Sequence, residues 1–111
     1  MKEGEIILVN ILTSEGNYKK RPALILKVLP KFNDLLLCGI SSQIQQIIND
    51  FDLLLSPNSI DFQTSGIIKE SIIRLGYLTV LPQHFVEGKI GYISNDSHKL
   101  LIQRLCDYLS K

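Results

Sequence analysis

The chain has no tryptophan, only two cysteines, four prolines and seven glycines among 111 residues. So little proline and glycine, with 45% hydrophobic and 21% charged residues, excludes a disordered or low-complexity chain and describes an ordinary globular one. The two cysteines lack metal-ligand spacing; Cys38 and Cys106 stand among apolar residues, where free buried thiols in a reducing compartment are expected. No apolar run approaches the ~20 residues of a membrane span, and MKEGEIILV holds no stretch long enough for a signal peptide. A cytoplasmic protein without a membrane partner is the expectation. Neither sign of charge is in excess: twelve Lys and Arg against eleven Asp and Glu leave +1, so any phosphate site must be a local patch. Nothing resembles a zinc site, a phosphate-binding glycine loop or a dinucleotide fingerprint, so neither a metal nor another cofactor is expected.

What is present reads as one domain, 1–111, with a single core. EIILVNIL (5–12) is apolar and β-branched, a strand, and TSEGNYKK (13–20) is a loop. PALILKVL (22–29) is a second strand with Pro22 at its first residue, where a missing N–H does least harm. Asn33-Asp34 marks a turn, and LLLCGIS (35–41) pairs back as a hairpin. SQIQQIIND (42–50) is an irregular connection, FDLLLS (51–56) a strand, and SIDFQTSG (59–66) a loop. SIIRLGYLTVL (71–81) is a strand bent at Gly76, PQHF (82–85) a one-turn connector, and GKIGYIS (88–94) the last strand. Ser94 is a helix N-cap, with Asp96 in the first turn and Leu101, Leu105 and Tyr108 at helical spacing. The expected fold is mainly β with a C-terminal helix, a small, strongly bent barrel.

Three polar sites sit oddly in such strands. Arg21 opens the second strand, Ser41-Ser42-Gln43 closes the third, and Arg74 lies inside an apolar one. In a hairpin the start of one strand lies opposite the end of the other, which brings Arg21 to Ser41 and Ser42. A guanidinium beside hydroxyls, with Lys19 and Lys20 close by, makes a phosphate clamp. On residues alone a blander reading stands beside it: Arg21 pairs with an acidic neighbour, and the serines satisfy turn backbone groups. His84 and His98 read as solvated surface imidazoles, and Glu15 as a solvated loop charge.

GEIILVNIL, then KKRPALILKV, GISSQ, GIIKESIIRLGYLTVL, KIGYIS and a final helix together resemble the PemK/MazF group of bacterial toxins, over roughly residues 4 to 109. The resemblance implies an SH3-like barrel, usually a homodimer, that cleaves single-stranded RNA without a metal and is silenced by a cognate antitoxin. It implies Arg21, the arginine before proline, and Ser41, where the family usually has threonine, as catalytic residues. Lys19, Lys20, Ser42, Gln43 and Arg74 are then expected to contact RNA. Gly76 and Tyr77 depart from the family pattern, which often has aspartate and then lysine or glutamine there. Two alternatives are a toxin of the same fold that binds a protein target, and a decayed module that binds RNA or antitoxin without nuclease activity.

Overall fold

The computed structural model describes every residue, Met1–Lys111. Six strands, β1 (Glu5–Leu12), β2 (Tyr18–Val28), β3 (Leu35–Ser41), β4 (Leu53–Leu55), β5 (Ser71–Leu81) and β6 (Val86–Tyr92), form one antiparallel sheet in the order β4-β5-β3-β2-β1-β6. Helix α1 (Phe62–Ser65) is a single turn, and α2 (Asn95–Leu109) closes the chain. The expected class holds: mainly β with a C-terminal helix, the curled sheet of an SH3-like barrel. No helix is long and apolar enough to cross a membrane.

Strand alternation sorts the apolar residues into two cores. Ile6, Leu24, Leu26, Cys38, Ile40, Ile73 and Leu75 meet Leu101 and Leu105 of α2 in the larger core. Ile7, Val9, Ala23, Ile25, Leu35 and Leu37 form the smaller one. Ser94 caps α2 as its sequence predicts, accepting from Ser97 N at 3.2 Å. Buried Asp61 fastens that end: it accepts from Ser94 N at 2.7 Å and from the Ser97 hydroxyl.

The structure corrects four expectations. Strand β2 starts at Tyr18, not at Pro22, because Gly16 with φ +86° closes the turn early and lets Leu12 pair with Tyr18. Lys19 and Lys20 therefore belong to a strand. Pro22 lies inside it, and the ladder to β3 stops at Ala23, one residue short of the proline that has no N–H to give. Cys106 is exposed, since it follows Leu105 by one residue on α2 and is turned off the buried stripe. His98 is half-buried: its Nε2 donates to Leu26 O at 2.8 Å, Leu26 being the residue that the β2–β3 register skips.

Candidate active site

The β2–β3 ladder pairs Ile25 with Leu37, Leu24 with Cys38 and Ala23 with Gly39, and there it ends. Two residues further along that register, Arg21 falls opposite Ser41. Beyond Ala23, β2 is paired with β1 alone, as far as Tyr18, while Ser41 is paired with Ile72 of β5. Arg21 and Ser41 thus flank the opening where β2 and β3 part. Both lie on the face that carries Ala23 and the smaller core, because residues two apart on a strand share a face.

The same alternation divides the cation run. Lys19 accompanies Arg21 on that face, and Lys20, which pairs with Asn10, is turned to the other. The three are exposed, and none is engaged by a carboxylate; the ion pairs of the chain are Lys27 with Glu3 at 3.2 Å and Lys89 with Glu5 at 2.8 Å. The acidic neighbour that a structural role for Arg21 would require is absent. Ser41 does satisfy the turn, since its Oγ accepts from Gln43 N at 3.1 Å. That bond uses a lone pair and leaves the hydroxyl hydrogen free to be donated. Gln43 spends its side-chain oxygen on Gln45 at 2.8 Å and keeps its NH₂, while Ser42 is exposed beyond the strand end.

Arg74 reaches the same face by another route. It pairs with Gly39, so Ala23, Gly39 and Arg74 form one row across three strands, beside the paired Ser41 and Ile72. The register then jumps: Cys38 pairs with Leu78, leaving Leu75, Gly76 and Tyr77 as a bulge, the bend expected at Gly76. Tyr77, noted in the sequence only as a departure from the family pattern, is folded back over Gly39 with Arg74 5.2 Å from its ring centre. A Cβ at Gly39 would stand 2.6 Å from the Tyr77 ring, so only glycine lets it lie there. The cue was legible: a glycine in the middle of LLLCGIS marks a close approach.

Buried Asp52 holds the bulge. One carboxylate oxygen accepts from Leu75 N at 3.0 Å and the other from Ile48 N at 2.9 Å, while Arg104 of α2 donates to the carbonyls of Phe51 and Asp52. Burial, with the Asp52 charge adding to it, pushes the neighbouring Cys38 thiol up to about 12, so that thiol is inert. The face therefore offers two guanidiniums, an ammonium, an oriented hydroxyl and an exposed aromatic ring. Such a set binds a phosphodiester and stabilises added charge on it.

The family model for the PemK-like, MazF-like toxins of type II toxin–antitoxin systems matches residues 2–109. The chain belongs to this family. Among solved structures, a Mycobacterium tuberculosis toxin, MazF-mt6, is similar with a TM-score of 0.69 at 16% identity, covering 96% of each chain. A MazE-MazF structure from Deinococcus radiodurans is similar with a TM-score of 0.69 at 16% identity, covering 98% of this chain and 94% of that one. At such identity these likenesses speak for the fold. Among curated proteins, none matches the chain in sequence. This PemK/MazF-like toxin carries an arginine before proline at Arg21-Pro22 and a hydroxyl before Ser42-Gln43 at Ser41.

Proposed function

We propose that this toxin is a metal-independent endoribonuclease acting on single-stranded RNA in the cytoplasm. What supports this reading is that the β2–β3 ladder ends at Ala23 and Gly39, two residues short of Arg21, which no carboxylate engages, on one strand and two short of Ser41 on the other. In the reaction, a ribose 2′-oxygen attacks the adjacent phosphorus and loses its proton. The bond to the 5′-oxygen breaks and that oxygen gains a proton, leaving a 2′,3′-cyclic phosphate and a 5′-hydroxyl end. A guanidinium stays protonated, so Arg21 acts as a donor: its planar fork neutralises charge that builds on the phosphorane oxygens. Ser41, already oriented by Gln43 N, donates a further hydrogen bond and aligns the scissile phosphate. Arg74 and Lys19 hold flanking phosphates on the same face, Lys20 reaches the backbone from across the strand edge, and Ser42 and Gln43 contact the nucleotide beyond β3.

The chain acts as a homodimer with a cognate antitoxin, and two features support that arrangement. Strand β4 covers Ser71–Ile73 of β5 and Asp52 takes the Leu75 N–H, leaving the stretch beyond the bulge as an open edge with Leu78 and Val80 exposed. The likeness to a chain of a MazE-MazF structure supports an antitoxin partner. Incubating the purified chain with mixed single-stranded RNA in excess chelator, then analysing the new ends, tests the chemistry. Cyclic phosphate and 5′-hydroxyl ends are expected; intact RNA would end the nuclease reading and leave a protein-binding toxin.

A further inference from the structure

A second site lies around the edge of β2 from Arg21. Asn10 on β1, Tyr18 on β2, Glu87 on β6 and the turn residues His84 and Phe85 line a cleft of about 350 Å³. Asn10 pairs with Lys20 and Leu12 with Tyr18, so the cleft opens on the face opposite to that of Arg21. Tyr18 is only three residues from Arg21, about 10 Å along the strand. The edge between the two faces is unpaired there and carries Lys19 and Lys20, so a single strand of RNA can round it with its phosphates on the lysines.

The cleft combines apolar walls with a directional polar floor. The ring of Tyr18 is two-thirds exposed, and Phe85, 36% exposed, stacks with His84 at 4.7 Å between ring centres. Flat aromatic surfaces open to water are what unstacked nucleobases rest on. On the floor Asn10 Nδ2 donates to Glu87 Oε1 at 2.9 Å. A carboxylate accepts only, so the Asn10 amide must present its NH₂ toward it, which leaves one amide hydrogen, the second lone pair of Oε1 and the other carboxylate oxygen for a ligand. In order, the floor offers a donor and then two acceptor positions. Guanine is the base whose pairing edge answers that order, with an acceptor at O6 followed by hydrogens at N1 and N2. In either orientation uracil, adenine and cytosine each match at most two of these three positions.

We propose that this cleft is a nucleobase subsite that selects guanine at one fixed position of the bound RNA, an inference that rests on the RNA reading above. Non-cleavable 2′-fluoro pentamers provide the test: an all-uridine strand, strands with one guanosine or one adenosine, and one with inosine, which lacks the N2 hydrogens. The guanosine strand should bind at least about tenfold more tightly than the uridine and adenosine strands, with inosine between. Glu87→Gln should erase that preference, and since Glu87 is exposed the variant keeps its fold. Tyr18→Ala should weaken the guanosine strand by roughly fivefold or more through lost stacking. Equal affinity for all four strands, or a guanine preference that survives Glu87→Gln, would overturn the proposal. Guanine selection without any cleavage refutes the nuclease reading alone; cleavage without base preference refutes the cleft alone.

Discussion

Replacing Arg21 by alanine separates catalysis from folding more sharply than any other single change in this chain. The side chain is exposed and is held by no carboxylate, so its loss should change stability by no more than about 0.5 kcal/mol. If its fork stabilises the phosphorane, the same change removes a preorganised donor and costs about 2.7–4 kcal/mol of barrier, roughly 100- to 1000-fold in rate. Arg21→Lys keeps the charge and loses the fork, and should recover only a small part of that rate. Ser41→Ala should also slow cleavage, while Ser41→Thr keeps the hydroxyl and the rate. Arg21 and Ser41 are proposed to act on one phosphoryl group, so the double variant should lose less than the product of the single losses. The assay is single-turnover cleavage with chelator present, run beside urea denaturation of each variant. An Arg21→Ala protein that melts like the parent and cleaves like it would refute the assignment.

Lys19→Ala and Lys20→Ala should each weaken RNA binding and reduce the slope of log affinity against log salt by about 0.7, leaving turnover of bound RNA nearly unchanged. Asp52→Ala strips the acceptor from buried Leu75 N and should cost about 2–4 kcal/mol in urea unfolding; an unchanged midpoint would contradict its role in holding the bulge. Thiol titration should find Cys106 alone in the native chain and both cysteines in denaturant, because only Cys106 meets solvent. The Lys89 ammonium beside Glu5 holds its carboxyl below the ordinary 4.5, so the pair stabilises the fold above that pH and loses its contribution as the pH falls below it. Glu5→Gln should therefore flatten the acid limb of stability measured from pH 6 downward.

Alternation of apolar residues, turn residues at 30–34 and the Ser94 cap are local signals, and they made the strands, the hairpin and α2 legible from the sequence. The hairpin of β2 and β3 was legible for the same reason, but its ladder ends at Ala23 and Gly39, short of Arg21 and Ser41. Side-chain faces were not. The triplet KKR reads as one patch, yet a strand sends Lys20 to the opposite face, and that depended on where β2 begins. The turn decided it, because Gly16 brings Leu12 and Tyr18 into a pair. The roles of Asp52, Gly39 and Tyr77 arise from contacts between segments distant along the chain, which no local pattern encodes. The Asn10–Glu87 pair spans β1 and β6, and sheet order alone brings it together. The chain's own pattern determined which elements form, because those preferences act within a few residues. The closure of the sheet decided which polar groups face one another, because hydrogen-bond partners there are chosen by register across strands.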